Sequence, residues 1–410
     1  MSQSSVPAPW KTVTLGDVAS VSRGASPRPI ASPRWFENKS DVGWVRISDL
    51  GRSDGLTLRA TTQRLSAEGI ARSRYLPPGT LILSIAATVG VPIVTGIPTC
   101  IHDGFVSIEN LKGVHQPYLL YALKAAQSAL RKAGQTGSQA NINSDIVKRL
   151  PLLLPPEEEQ RAIADALRDT DELILSFQRF ISKKQAIKRG MLQELLTGKA
   201  SLQNSPSSGR DATLGELVTW LSGGTPDRNN PAYWGGAIPW ISAATLRRTR
   251  VHDSDQHLTA AGVRAGSKIA PAGATLLLVR GMALHREMRI GMATRPVSFN
   301  QDVKALIPKP GVLPEYLVYA LQARSSHMLD LVSSAGSGTG VLDTQLLQRL
   351  PIWIPDETSQ CRIVAAINAV DRNVEELHHS LSKARAIKQG MMQMLLTGRN
   401  RLLAQGEGYE

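Results

Sequence analysis

Cysteine is almost missing from this 410-residue sequence: Cys100 and Cys361 are the whole complement. Two isolated thiols exclude a disulfide framework and a cysteine-built zinc site, and they fit a reducing cytoplasm. Aromatic residues are also scarce, at 5%. Long apolar runs are lacking. The most membrane-like stretch, Leu81–Ile97, is interrupted by Gly90, Pro92 and Gly96 and is rich in Ile, Val and Thr, so it reads as buried strands rather than a membrane span. The opening MSQSSVPAPWK has no charged-then-apolar signal pattern, and residues 1–11 read as a loose leader. There is no GxxxxGKS/T phosphate loop and no glycine-rich strand–loop–helix followed by an N/D-P-P-F/Y box, so the sequence carries neither a phosphate-loop nucleotidase signature nor a methyltransferase core.

Acidic side chains are outnumbered, 34 against 47 basic, for a net charge of +13. The excess is localised. Residues 1–150 carry +8 and residues 201–350 carry +5, while 151–200 and 351–410 are each neutral. Basic charge confined to two segments points to two polyanion-binding surfaces on neutral spacers. The remaining composition, 42% hydrophobic and 20% charged, suits a soluble globular protein of two or more domains.

The neutral segments are two copies of one element. LPLLLPPEEEQ (Leu150–Gln160) matches LPIWIPDETSQ (Leu350–Gln360), and AIKRGMLQELLTG (Ala186–Gly198) matches AIKQGMMQMLLTG (Ala386–Gly398), at a constant offset of 200. In each copy a proline closes an extended apolar run, acidic residues follow in a first helical turn, and a glycine stops the helix. Apolar residues in four-three spacing predict a seam at Ile163, Leu167, Ile174, Phe177 and Ile181, with Thr170 as a polar break, and at Ile363, Ile367, Val370, Val374, Leu377 and Leu381. Two seams of matched length are most simply satisfied by each other. Halves related by a two-fold axis would pack them antiparallel.

The basic segments repeat as well. LGDVASVSRGASP (Leu15–Pro27) aligns with LGELVTWLSGGTP (Leu214–Pro226), and Trp35 with Trp234. Trp44 and Trp240 fall in matching strands, where a core role fits better than a base-stacking one. The runs Ile101–Ile108 and Phe299–Ile307 read as one further strand each, and Tyr118–Leu123 and Tyr316–Leu321 as helix starts. Loop chemistry diverges on this common scaffold: Arg280, His285, Arg286 and Arg289 stand where the first copy has apolar Ala86–Val94. Candidate DNA-contacting residues are Arg23, Arg28, Arg34, Arg46, Ser138, Gln139 and Asn141 in the first copy. In the second they are Arg228, Asn229, Asn230, Arg280, His285, Arg286 and Arg289. Loops such as Gly134–Asn143 and Gly336–Gly340 suit phosphate contact or a plain surface turn equally. The bridge 200–212 reads as a linker, and the tail after Arg401 as frayed.

The paired LP…P helix starts, the paired LLTG endings and the LGD/LGE…SP/TP module starts together resemble the specificity subunit of type I restriction–modification systems, over nearly the whole chain. The resemblance implies an α+β fold: two pseudo-symmetric mixed α/β target recognition domains separated by two long helices forming an antiparallel coiled coil. The corresponding bounds are 12–150 and 213–350 for the domains, 151–199 and 351–400 for the helical spacers, and 200–212 for the linker. It further implies a non-catalytic subunit reading a bipartite, asymmetric site in double-stranded DNA. Its implied partners are two modification (methyltransferase) subunits, which would use S-adenosylmethionine, and restriction/translocase subunits. No cofactor or metal is expected on this chain and no membrane association.

Residues that invite other chemistry are weak by comparison. His102–Asp103 aligns with Asn300–Gln301, so one fold does not keep one catalytic pair. Glu375, His378 and His379 are too few for a metal site and fit a solvated helix face. A coiled-coil adaptor, a stand-alone DNA-binding protein and a nuclease with an unrecognised site are the alternatives that the sequence leaves open.

Overall fold

The structure, a computed structural model, describes residues 7–134, 142–196, 209–334 and 338–402. It divides into two compact units, Met1–Arg179 with His379–Glu410, and Phe180–His378.

In the first unit, buried apolar strands build a five-stranded sheet in the order Ser20–Arg23, Phe105–Glu109, Leu81–Ser84, Pro92–Thr95, Thr57–Leu58. A second sheet runs Gln63–Arg64, Gly43–Val45, Thr99–Ile101, Arg74–Leu76. Both are antiparallel except for the pairings of Thr57–Leu58 with Pro92–Thr95 and of Gly43–Val45 with Thr99–Ile101, which are parallel. The second unit repeats this order with Val218–Ser222, Val303–Pro308, Thr275–Leu278, Ile290–Ala293 and Arg250–Val251, and with His257–Leu258, Trp234–Ile241, Val297–Phe299 and Ile269–Ala270. It also has a three-stranded sheet of Arg280–Gly281, Gly340–Leu342 and Val332–Ser334, built on the loop whose sequence diverges. Trp35, Trp44 and Trp240 are core residues, each no more than 2% exposed. Leu81–Ser84 and Pro92–Thr95 are strands, and no described helix is long and apolar enough to cross a membrane.

Three sequence readings are corrected. The stretch 1–11 is not all loose: Trp10 is buried, and Lys11–Thr14 pairs with Pro151–Leu154. The same ribbon recurs as Gly209–Thr213 with Pro351–Pro355, so the end of the presumed linker is a strand. Each satisfies the backbone of the extended run that precedes a long helix. Finally, Ile101–Ile108 and Phe299–Ile307 are not single strands. Turns at 102–104 and 300–302 break them, and each half joins a different sheet.

The long helices, Glu157–Leu195 and Glu357–Leu395, have 39 residues each. At 1.5 Å per residue each is about 60 Å long. They pair antiparallel within each unit. In the first unit, Ile163 and Leu167 share a core with Leu395 and Leu396, and with Trp10, Tyr118 and Tyr121. In the second, Ile363 and Ile367 share one with Leu192, Leu195 and Leu196. Ile181 and Leu381 are buried, while Ile174, Phe177, Val370, Val374 and Leu377 are half-buried. The seam residues near each helix start are therefore also module core. Thr170, the polar break, donates to the Ala166 carbonyl at 2.9 Å and meets the Met391 sulfur at 3.5 Å.

One buried glutamine fastens each helix start to its module. Gln160 accepts from the His115 amide at 2.8 Å and donates to the carbonyls of Gly113 and Pro155 at 3.1 and 2.9 Å. Gln360 does the same with Leu313, Gly311 and Pro355 at 2.8, 2.9 and 2.9 Å. The first tyrosine of each YL-LV-YAL run adds a bond: Tyr118 donates to the Leu153 carbonyl and Tyr316 to that of Trp353, both at 2.7 Å. Arg401 is anchored. It holds the buried Glu159 carboxylate at 2.6 and 2.8 Å and the Ala8 carbonyl at 2.7 Å. The tail after Arg401, read from the sequence as frayed, lies from residue 403 on outside the described residues.

Candidate nucleic-acid interface

The turn between the two sheets is where the modules keep a frame and change its chemistry. In the first module Gly24 lies so close to this turn that a Cβ would stand 2.2 Å from the His102 carbonyl oxygen, and only glycine fits. The Ala25 amide donates to the Ile101 carbonyl at 3.1 Å. In the second, a Cβ on Gly223 would meet the Phe299 carbonyl oxygen at 2.2 Å, and the Gly224 amide donates to Phe299 at 2.9 Å. Two residues further on, a hydroxyl reaches the turn in both. Ser26 donates to Asp103 at 2.8 Å, and Thr225 donates to the Gln301 side-chain oxygen at 2.7 Å. Identical backbone carpentry thus presents a carboxylate in one module and an amide in the other.

Around the first turn the structure gathers Arg23, Arg28 and Arg46. Arg23 donates to the Asp103 carbonyl at 2.8 Å, and Arg28 approaches the carboxylate at 3.4 Å with its own side chain 81% exposed. Arg46 donates to the Gln63 side-chain oxygen and bears electrostatically on His102. Burial pulls the His102 pKa down, Arg46 adds to this, and Asp103 opposes it. Its Nδ1 accepts from the Gly104 amide at 2.8 Å, and its ring packs beside Trp44 and Phe105. A neutral ring fixed as an acceptor is a structural part of the turn. Burial pushes the Asp103 carboxyl up, but Ser26, a backbone bond, His102 and Arg23 together outweigh it and hold it below the usual range. Arg34 is set apart from this group, with its guanidinium 3.9 Å over the Trp35 ring. Ser138, Gln139 and Asn141 lie outside the described residues.

In the second module, Arg228 stacks 5.3 and 5.1 Å from the rings of Trp234 and Trp240, which meet edge to face. Asn229 and Asn230 shape the turn beside it: the Asn229 amide donates to Asp227, and the Asn230 side chain accepts from Ala232, each at 3.0 Å. The Arg280 backbone amide reaches the Asp302 carbonyl at 3.3 Å, so its exposed side chain starts beside the Gln301 turn. His285 is tied to the Gly338 carbonyl at 2.8 Å, and Arg286 is exposed. Arg289 is committed internally to Glu287 and to the Ala243 carbonyl. It is a brace for the loop more than a free cation.

Sequence reading passed over Ser26, Gln63, Thr225 and Gln301, and the basic run Arg247, Arg248 and Arg250. Arg247 and Arg248 are exposed, and Arg250 pairs with Glu315 at 2.8 Å. The signal for the first group was present in the alignment of the two modules, where 103 and 301 differ in chemistry at one position of one frame. Among the described residues no group of three or more His, Cys, Asp or Glu could hold a metal ion, and Glu375, His378 and His379 are exposed.

Comparison with known proteins gives a consistent picture. The model of the type I restriction modification DNA specificity domain matches residues 7–188 and again 210–384. The EcoR124I/EcoR124II type I restriction enzyme specificity subunit of Escherichia coli is 30% identical over 179 residues, 43% of this chain. The chain spans 44% of that relative's length. The MjaVIII specificity subunit of Methanocaldococcus jannaschii is 22% identical over 311 residues, 70% of each chain. Among solved structures, one from a study of complex assembly and conformational transition of the type I R-M system has a TM-score of 0.63 at 17% identity, covering 95% of this chain and 98% of that one. The S subunit of a type I system from M. genitalium has a TM-score of 0.59 at 14% identity, covering 97% and 98%. At these identities the structural likeness concerns the fold.

Proposed function

The chain belongs to the type I restriction–modification DNA specificity family, and from that premise we propose that it is the sequence-reading subunit of a type I restriction–modification complex. Each module reads one half of a bipartite, asymmetric target in double-stranded DNA, and the chain itself performs no catalysis. The observation that carries this reading is the paired turn: Ser26 with Asp103 and Thr225 with Gln301 occupy one frame with different hydrogen-bonding groups. One frame bearing two chemistries is what two different half-sites require. Exposed arginines beside the turns supply phosphate contacts and guanine-type readout.

The long helices serve as spacer and as docking surface for two modification subunits, which bring S-adenosylmethionine; restriction subunits join that assembly in the cytoplasm. Support comes from apolar side chains left in solvent on these helices. Phe180 and Ile187, seven residues apart, are 53% and 42% exposed, and Ile387 and Met394, also seven apart, are 59% and 48% exposed. Such surfaces on otherwise polar helix faces fit a protein partner.

Base-resolution methylation mapping, with the cognate methyltransferase present, tests the function. The expected result is a motif of two unlike halves around a fixed gap, methylated only when this chain is present. Methylation independent of the chain, or a single contiguous motif, would overturn the reading.

A further inference from the structure

We propose that Gln301 is a specificity-determining residue of the second module, and that it reads an adenine in the major groove. This rests on the DNA-reading function just argued. Gln301 is exposed on the turn that links Val297–Phe299 to Val303–Pro308. Rigid strands on both sides fix the turn, and the closely packed Gly223 locks it against the preceding loop. The side chain is not free to wander, because the Thr225 hydroxyl donates to its oxygen at 2.7 Å. In this arrangement the amide oxygen is the end that accepts. One lone pair remains on the oxygen, and both N–H donors remain on the nitrogen. An acceptor beside a donor in one plane is the complement of adenine N6–H and N7.

The surroundings suit a base edge. Arg280 leaves the backbone next to Asp302, beside this turn, and supplies a cation for the flanking phosphates. The first module shows why the reading does not transfer. There the equivalent Asp103 is a carboxylate with no donor to pair with adenine N7, and it receives Ser26 on one oxygen and draws Arg28 to the other.

The experiment is methylation mapping of Gln301→Ala, Gln301→Glu and Thr225→Val, each assembled with the cognate methyltransferase. The half-site of the second module is first identified by exchanging residues 213–350. Gln301→Ala should relax one adenine position in that half, with discrimination there falling roughly tenfold to a hundredfold. Gln301→Glu, which offers only acceptors, should move the preference at that position toward cytosine, whose N4 is a donor. Thr225→Val should weaken discrimination at the same position and nowhere else. A motif unchanged in all three variants, relaxation in the other half, or an equal loss at every position would overturn the assignment while leaving the DNA-reading function standing. A wild-type chain that directs no bipartite methylation would instead remove the function on which the assignment rests.

Discussion

The Lys388 ammonium donates to the Asp171 carboxylate at 2.6 Å, and the same pair recurs with the helices exchanged, as Lys188 to Asp371 at 2.7 Å. Each carboxylate also receives a module tyrosine: Tyr121 donates to Asp171 at 2.9 Å, and Tyr319 to Asp371 at 3.2 Å and to Asn368 at 2.6 Å. Each lysine stands over the ring of that same tyrosine, at 5.5 and 5.3 Å. One carboxylate thus ties together the helix that carries it, the opposing helix and the module. Truncating one member strands the other. Asp171→Ala should destabilise the protein by about 3 kcal/mol, the range for breaking a buried pair. Asp371→Ala should cost less, since Asp371 is 30% exposed against 13% for Asp171. Denaturant titration of the single and double variants measures this. A coupling near zero between Asp171 and Lys388 would show that the bridge is not what holds the elements together.

Lys124 lies in the same neighbourhood, and its ammonium is unfavourable there. Burial first and then the Lys388 charge lower its pKa from 10.5 to about 8, against the opposing pull of Asp171 and Asp54. The sign follows from proton counting. Between about 8 and 10.5 the unfolded chain binds the proton and the folded one does not. Stability contributed by this site therefore rises with pH across that window, and the penalty is fully present below it. Lys124→Met should raise the melting temperature at neutral pH and flatten the rise. Unfolding titrations in the lower half of the window, before tyrosine ionisation intrudes, compare the two proteins. Parallel stability curves for both would be inconsistent with a depressed Lys124.

Gln160 and Gln360 should be among the least replaceable polar residues. Each is at most 1% exposed and makes three bonds to backbone. Alanine removes the partner of a half-buried amide and of two carbonyls, one of them on the buried Pro155 or Pro355, an expected loss of about 3 kcal/mol at either site. Gln160→Glu should be no better, because a carboxylate has no donor for Gly113 and Pro155. Chemical denaturation distinguishes this from a surface role, in which both variants would match the wild type.

These glutamines also show where sequence reading stops. Four-three apolar spacing announced both long helices and their antiparallel partnership, because periodicity is local and the repeat gives it twice. A single buried glutamine has no period, and two of the three partners of Gln160 lie 45 and 47 residues away. The ribbon strand Lys11–Thr14 was equally hidden: four residues are too few to alternate visibly, and Pro151–Leu154 is remote. In the site, basic composition located the loops, but not that Arg23 and Arg28 converge on one residue across 80 and 75 positions. Nor could charge alone reveal that Arg289 is spent on Glu287 and Ala243.

Arg401 closes a contact across most of the chain. Its guanidinium grips Glu159, which is 5% exposed and also accepts from the buried Trp10 indole at 2.9 Å. Arg401→Ala should leave a buried carboxylate with one neutral donor, lowering stability by about 3 kcal/mol. Glu159→Gln in the same chain should recover part of it by removing the stranded charge. Thermal melts of the three proteins suffice, and an Arg401→Ala protein as stable as the wild type would mean that the terminal segment contributes nothing.

Asp103 puts a negative charge among residues expected to face DNA. Its carboxylate accepts from Ser26 and draws in Arg28, which is otherwise 81% exposed. Asp103→Asn keeps an acceptor for Ser26 but gives up the anion. Two consequences oppose each other. Losing a negative charge near the phosphates favours binding to any sequence, while a less constrained Arg28 discriminates less. Binding to random-sequence DNA should therefore tighten, with a salt dependence steeper by roughly one phosphate contact. Methylation mapping should show relaxed choice in the first half-site and an unchanged second half. Anisotropy across a salt series, with the methyltransferase subunits present, gives the first quantity. If random-sequence affinity stays constant and the first half-site keeps its full discrimination, the Asp103–Arg28 turn does not face the DNA.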